Sequence, residues 1–589
     1  VADRQRVQWV EIDIPYCSRV WGVGACDAAL SVRTPRKCRQ TYATCGAVGK
    51  AAFDPGVKTM ILTPSVSGLP VGVWPVLSGR IRETEATVNI AGADPNLSAF
   101  GRRGTVDFTC TDPRSNDLWF DKYYADRLSG AASLSAVGYD PAEAGTLFTK
   151  LKAWWPYYAG RECRVKDGWL ENGVLTAEAT RHYILTDFET DKPGKAQFKG
   201  RDILDVAGNK RALCPKPNRG KLAVAIGPEA GATAALTPAT VGDEYAASGR
   251  AVIGSEIVAF TRSGDVLTFT ARGLSGTTAA GHSALASVQQ TKRWDGIRAD
   301  VVAEELLTDF APVPDANIPV SEWAAEMDQG AAGLFLTTEL TIPTDVDKLM
   351  AELSLLGLSF WWEANDQTVG LKTNRPIFDD VTWEITDADI VRDGITLKAR
   401  DDKRLTEVLF QSVQIDPTRG INDDNFLRYE YAIDGDAKGP NAYADARLKV
   451  EKVRWINNGN DALMRILALR YLNLFSTAPQ HVSVRVRRDK YDAVRLTDVA
   501  FVSSRQITDP DGLPERQAFR VISKENVAPG VVELLLQRYL RNGRYARFLR
   551  DDDPNDYTTA SAEVKARGFY FVSKFSPTFP DGSGPYVFA

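Results

Sequence analysis

Along this 589-residue chain, short apolar runs broken by turn residues outnumber stretches with helical spacing. Between residues 57 and 215 the runs Gly72 to Ile81, Ala86 to Ile90 and Gly104 to Cys110 predict strands. Glu256 to Phe260 and Val266 to Thr270 flank Ser263-Gly264-Asp265, a hairpin pattern. A second hairpin is predicted for Leu358 to Glu363 and Val369 to Lys372, around Asn365-Asp366, and a third for Phe519 to Ser523 and Val531 to Leu536, around Ala528-Pro529-Gly530. Leu405 to Ile415 reads as a strand. Val482, Val484 and Val486 alternate with Ser483, Arg485 and Arg487, the mark of a half-exposed strand. Three stretches carry helical spacing. Ile297, Val301, Val302, Leu306 and Leu307 give one apolar face over residues 295–310. Thr344 to Leu356 has Asp345 and Asp347 where the helix dipole favours acids, and Asn460 to Phe475 presents Leu463, Met464, Ile466, Leu467, Leu469, Tyr471 and Leu472. The pattern is α+β, mainly β.

Length and composition sharpen this in few ways. At about 100–200 residues per domain the chain holds several domains. A hydrophobic fraction of 44% and a charged fraction of 25% are those of a globular protein. The net charge of −5 argues against a dedicated nucleic-acid binder, which carries a basic excess. No apolar run spans a bilayer: the longest candidate, Leu349 to Trp362, is short and interrupted by Glu352. The N-terminus opens without an apolar signal region, so a reducing compartment is expected.

The cysteines stand out. Cys17, Cys26, Cys38 and Cys45 share one window, whereas Cys110, Cys163 and Cys214 are scattered and have no expected ligand role. Structural zinc favours close cysteine pairs, and none occurs here. Wider spacings suit a larger object wrapped by a loop, such as an iron–sulfur cluster. Between Ile14 and Lys50 lie Arg19, Arg33, Arg36, Lys37, Arg39 and Lys50 against a single acid, Asp27, a charge balance that suits an anionic cluster. Tyr16, Trp21 and Tyr42 would shield it. Zinc, disulfides and four buried thiols remain alternatives.

The search for catalytic motifs returns little. Gly46-Ala47-Val48-Gly49-Lys50 resembles the end of a phosphate loop, but Ala51 replaces the Ser/Thr and Thr44 the first glycine. Asp509-Pro510-Asp511-Gly512 reads as a turn rather than a calcium loop. The pairs Asp379-Asp380, Asp401-Asp402 and Asp423-Asp424 read as solvated turns. The aromatic group Trp154, Trp155, Tyr157 and Tyr158 reads as core or subunit interface, with a sugar-stacking platform as the alternative. His282 reads as a loop contact, since no nucleophile and base accompany it.

A family resemblance covers residues 1–50. Trp9-Val10-Glu11-Ile12-Asp13-Ile14-Pro15-Tyr16-Cys17, then Gly22-Val23-Gly24-Ala25-Cys26, then Lys37-Cys38-Arg39-Gln40-Thr41-Tyr42-Ala43-Thr44-Cys45 resembles the opening of tail-tip (baseplate) hub proteins of long-tailed bacteriophages. It is also similar to the lambda-type tail-tip protein, where the corresponding cysteines lie in the C-terminal part. The segment Arg272-Gly273-Leu274-Ser275-Gly276-Thr277-Thr278-Ala279-Ala280-Gly281-His282 resembles small β modules inserted in phage tail proteins. The resemblance implies a [4Fe-4S] cluster on Cys17, Cys26, Cys38 and Cys45, with structural zinc as the alternative. It implies a multidomain hub with barrel-like tube modules, a small inserted β domain and an N-terminal cysteine-ligated loop. The expected parts are a loop segment 1–56, a β-rich hub domain 57–214, an inserted β domain 215–291, an α/β hub domain 292–378, a barrel-like tube domain 379–545 and a C-terminal arm 546–589. Phe569, Tyr570, Phe571, Phe575 and Phe579 in the arm are expected to pack on a neighbouring subunit or another tail protein, because so short a segment builds no core of its own. The implied role is structural rather than enzymatic. The chain would form a homotrimer that closes the tail tube at the virion's tail tip, after synthesis in the host cytoplasm. It would meet the distal tail protein, a central fibre or receptor-binding protein and the tape measure, with no sequence-specific nucleic-acid binding. A glycan-degrading enzyme of the tail tip is the alternative.

Overall fold

The computed structural model describes residues 4–19, 38–45, 48–84, 86–90, 100–117, 119–120, 144–190, 192–206, 212–229, 231–375, 380–440, 442–457, 461–476, 478–509, 511–528, 530–539, 545–546, 561 and 587–588. The expected ligand Cys26 and almost all of the expected arm 546–589 lie outside the described residues. The chain divides into two compact units. The first comprises Val1–Glu85, Arg103–Ile203 and Trp362–Gln367; the second comprises Ala86–Arg102, Leu204–Trp361 and Thr368–Ala589. As the residue pattern predicts, the protein is mainly β, with barrel-like and half-barrel sheets.

The first unit is built on one sheet of eight strands. They are β1 (Arg4–Cys17), β2 (Pro55–Leu62), β3 (Val73–Trp74), β4 (Leu77–Thr84), β5 (Thr105–Thr111), β6 (Glu162–Glu171), β7 (Val174–Glu189) and β8 (Lys195–Arg201), in the order β3-β2-β1-β6-β7-β8-β5-β4. The expected strand Gly72 to Ile81 is two strands, split at Pro75, because proline cannot donate to a ladder. The sheet curls until its ends meet: Leu77 N donates to Thr63 O (2.9 Å) and Thr111 N to Val76 O (2.8 Å). The expected boundary after residue 56 falls inside β2, which pairs with β1 from Val10↔Leu62 to Cys17↔Pro55. Alternation along β1 serves two environments. Val10, Ile12 and Ile14 enter the main core with Phe108, Val165, Phe188 and Phe198, while Val7 and Trp9 pack with Leu170 on the other side. The helix Leu147–Trp154 closes the main core with Leu147, Phe148 and Leu151. Asp112 caps it, accepting from Phe148 N (2.7 Å) and Thr146 Oγ1 (2.6 Å).

In the second unit, β9 (Leu213–Cys214) precedes six strands: β10 (Lys221–Leu222), β11 (Thr233–Thr237), β12 (Ser248–Ile253), β13 (Glu256–Ser263), β14 (Val266–Ala271) and β15 (Val288–Gln290). These form one sheet in the order β10-β11-β14-β13-β12-β15, over a core that includes Leu236, Tyr245, Phe260 and Phe269. Next come β16 (Lys292–Arg298), β17 (Phe335–Leu340), β18 (Thr344–Asp345), β19 (Leu358–Glu363) and β20 (Thr368–Thr373), with helices Ala299–Glu305, Val320–Gly330 and Val346–Ser354. The helix expected over 295–310 is corrected. Residues up to Arg298 belong to β16, and only Ala299–Glu305 is α-helical, followed by a wider turn Leu306–Phe310. The pairing of β16 with β17 overrides the helical spacing there.

The remaining strands are β21 (Thr382–Thr386), β22 (Ile390–Ala399), β23 (Glu407–Gln414), β24 (Phe426–Ile433), β25 (Leu448–Val453), β26 (Gln480–Arg487), β27 (Val499–Thr508), β28 (Pro514–Ala528) and β29 (Val531–Arg538). Six of them make a curved sheet in the order β21-β27-β28-β29-β26-β22, and β24-β23-β25 makes a separate one under the helix Asp461–Phe475. Ala86 to Ile90, expected as a strand, makes isolated bridges at Thr87 to Arg102 and Ser523, and its Ala86 and Val88 join the curved sheet's core. Asp380, expected in a solvated turn, has a buried side chain. Lys372 (2.5 Å), Arg375 (3.1 Å) and Arg520 (3.0 Å) hold its carboxyl well below the usual carboxylate range against the opposing effect of burial.

Candidate functional site: the cysteine segment

Cys17 ends β1 and is buried. The chain next described, from Cys38, returns to the same place through Gln40. Cys17 N donates to Gln40 O (2.7 Å), and Gln40 Nε2 donates to Cys17 O (3.2 Å). The Gln40 side chain also accepts from Tyr16 Oη. Gln40 thus joins the Cys38 segment to the end of β1. Its φ of 56° puts a side chain in the left-handed region, a local strain sustained by these contacts. Cys45 lies one short turn on: its N–H donates to Tyr42 O (3.3 Å), and its own O accepts from Lys50 Nζ (2.5 Å).

The sulfurs sit among backbone donors. Asp54 N donates to Cys17 Sγ (3.4 Å) and Gln40 N to Cys38 Sγ (3.4 Å). Such N–H···S bonds recur around metal-bound sulfur. The described cysteines form no disulfide with one another. Cys17 Sγ in turn donates to Ala52 O (3.9 Å). Among the described residues, no three Cys, His, Asp or Glu side chains gather around a common metal position, and Cys26 lies outside them. By contrast Cys110 and Cys163 are part of the apolar core and Cys214 is buried; burial pushes all three thiols up.

A charged anchor fastens the segment to the sheet. Arg39 is 3.0 Å from Asp117, which is fully buried, and Lys150 approaches the same carboxylate at 2.6 Å. Arg39 also lies over the Trp154 ring, 4.5 Å from its centre, and Thr41 Oγ1 donates to Trp154 O (2.6 Å). Residues that the sequence does not single out, Asp117 and Lys150, thus help hold the segment that it does. No local pattern marks Asp117, because its partners lie far from it in the chain. Of the expected shielding rings, Tyr42 packs edge-on to Phe53 (5.3 Å) and Tyr157 (6.1 Å), while Trp21 lies outside the described residues. Tyr42, Phe53, Trp154, Trp155, Tyr157 and Arg161 line a groove beside the segment. Trp155 belongs to the core and the half-buried Trp154 packs against it, as expected of that aromatic group, and Tyr157 is exposed.

No protein-family model matches the chain, and no curated protein does. Among solved structures it is similar to the tail protein from Neisseria meningitidis MC58, at 12% identity and a TM-score of 0.36, covering 78% of this chain and 98% of that one. It is also similar to the prophage MuSo2 tail protein from Shewanella oneidensis, at 9% identity and a TM-score of 0.35, covering 79% and 98%. A third match is a prophage tail protein from Listeria monocytogenes EGD-e, at 7% identity and a TM-score of 0.32, covering 75% and 86%.

Proposed function

We propose that this chain is a structural tail-tip hub protein of a long-tailed phage or phage-like particle. The observation that carries the reading is the run Trp9 to Cys17 with Cys26, Cys38 and Cys45, which resembles the opening of such proteins. The fold is compatible with that reading in one respect: the run forms β1, a strand paired on both sides, and Gln40 brings the Cys38 segment to its end. In this role copies of the chain form a threefold ring that closes the tail tube. The ring connects to the distal tail protein, the receptor-binding apparatus and the tape measure, and takes part in genome delivery without catalysis. Cys17, Cys26, Cys38 and Cys45 hold a [4Fe-4S] cluster, which serves as a covalent clasp for a loop with few apolar side chains. Zinc is the competing occupant.

The test is localisation by gold-labelled antibody on purified particles, with native mass spectrometry of the isolated chain. Label at the tail tip and a trimer mass are the expected results. Absence of the chain from particles would sink the proposal.

A further inference from the structure

We propose that the aromatic groove of the first unit docks the segment Pro577-Thr578-Phe579-Pro580-Asp581 of a second copy of this chain. The inference goes beyond the tail-tip reading and does not depend on it. The groove is lined by Tyr42, Phe53, Trp154, Trp155, Tyr157 and Arg161. Two of its rings are fixed from behind: Trp155 belongs to the core, and Trp154 packs against the core with Arg39 over its ring. Two others are open to solvent, Tyr42 at 46% and Tyr157 at 58%. Tyr42 stands edge-on to Phe53, at 88°, and to Tyr157, at 66°. Rings set this way leave clefts between them rather than one flat plate.

Two chemical demands select the occupant. Clefts between upright aromatic rings take narrow apolar groups. Proline-rich segments dock in such aromatic-lined grooves, because the polyproline helix is formed beforehand and loses little entropy on binding. The second demand is charge. Arg161 is exposed, its Nε lies 3.5 Å from Tyr157 O, and it has no acidic partner among the described residues. None of the residues lining the groove carries a carboxylate. A purely apolar occupant would cover this cation without giving it an acceptor. A carboxylate on the occupant would meet it with a charge-assisted, bidentate hydrogen bond.

The chain's own sequence supplies one segment that meets both demands. Of its 30 prolines only Pro577 and Pro580 stand three apart, and Asp581 follows them. In a polyproline helix, with three residues per turn, the two prolines share one edge about 9 Å apart, and Thr578 and Asp581 share the next. The prolines then enter the clefts while Asp581 meets Arg161. The segment lies outside the described residues, in the arm expected to pack on a neighbouring subunit or another tail protein. Groove and segment are different surfaces, so each copy offers both halves of a head-to-tail contact, the kind that closes rings.

The experiment uses the full chain with the photoreactive residue benzoylphenylalanine at exposed position 157. Isotopically heavy and light copies are mixed, illuminated and digested. Cross-links from position 157 of one copy to residues 575–583 of the other are expected. Cross-links only within one copy, or only to other residues, overturn the proposal. Charge reversal is the second arm. Arg161→Glu and Asp581→Arg, each alone, should weaken self-association roughly tenfold or more in sedimentation with melting unchanged, and the two together should restore it. A chain that does not self-associate, single variants that leave association intact, or a pair that fails to restore it overturns the proposal. A synthetic peptide of residues 573–585 should block the cross-link. Blockage by oligogalacturonate and not by the peptide would overturn the proposal and assign the groove to an acidic glycan.

Discussion

The loop from Arg272 to His282 and the segment from Cys38 to Lys50 are both polar, both contain glycine and both leave the sheet that carries them, yet they are fastened differently. In the first, one residue does most of the holding. Glu256, fully buried at the start of β13, accepts from Arg272 Nε (2.7 Å) and Nη2 (2.8 Å), Gly273 N (3.0 Å), Ala280 N (3.1 Å) and His282 Nε2 (2.7 Å). Gly273 adopts φ 63°, and a Cβ there would come within 2.9 Å of Ala279 N, so glycine is required. His282 is thereby a loop contact, as its sequence context suggests. In the second, the ties are spread over separate elements: Gln40 to Cys17, Arg39 to Asp117, Thr41 to Trp154, Lys50 to Cys45. The first loop is complete by itself. The second depends on several residues, each on a different element.

The largest expected effect breaks the first loop. Glu256→Ala would leave Arg272 buried without its counter-charge and cost about 3–5 kcal/mol, read as the loss in denaturant midpoint. A loss under about 1 kcal/mol would show that the loop does not depend on one carboxylate. Acid tests the same residue. Burial alone would raise the Glu256 pKa, but Arg272 and His282 hold it at about 2, below the ordinary 4.5. Because the folded value is lowered, this stabilisation is present above pH 4.5 and fades as the pH falls toward 2. Amide exchange in residues 272–282, measured relative to the intrinsic rate, should gain protection as pH rises through that window, and Glu256→Gln should flatten the dependence.

The next effect falls on the second segment. Asp117→Ala removes the carboxylate shared by Arg39 and Lys150 and should cost about 3 kcal/mol, with new protease cleavage confined to residues 38–50. Cleavage no faster than in the parent chain would separate Asp117 from the segment. Cys38→Ser tests its chemistry. Iron and acid-labile sulfide in protein purified without oxygen should fall by roughly tenfold or more, because each ligand adds to the folded-state affinity. Cys110 is a poor site for serine, since its thiol lies in the apolar core. Cys110→Ala is the better control and should keep the iron. Stoichiometric zinc with no iron or sulfide in the parent would replace the cluster with a zinc clasp. The smallest effect is Lys50→Met, which removes the bonds to Cys45 O and Ala43 O for about 1 kcal/mol.

Much of the fold was legible in advance where a local signal sufficed. The hairpin over β13 and β14 follows from alternation around Gly264, whose φ of 57° favours glycine. The helix Asp461–Phe475 and the strand β26 follow from spacing alone. Legibility failed where pairing with distant strands competed with local spacing. Ile297 sits on β16 because β17 offers a partner, and the strand expected at Ala86 to Ile90 is reduced to bridges.

By itself, the amino-acid pattern determined the β-rich character, the hairpins with their turn glycines, and the separation of Cys17, Cys26, Cys38 and Cys45 from the three cysteines elsewhere. Each of these depends on residues near one another in the chain. Only the tertiary structure decided that Cys110 and Cys163 are core, that Asp380 is an ion-pair centre rather than a turn, and that Asp117 anchors Arg39. Burial and charge pairing are set by neighbours that come together only when the sheets form. An aspartate in solvent and an aspartate between two buried cations carry the same letter in the sequence, and the desolvation that distinguishes them is a property of the folded chain.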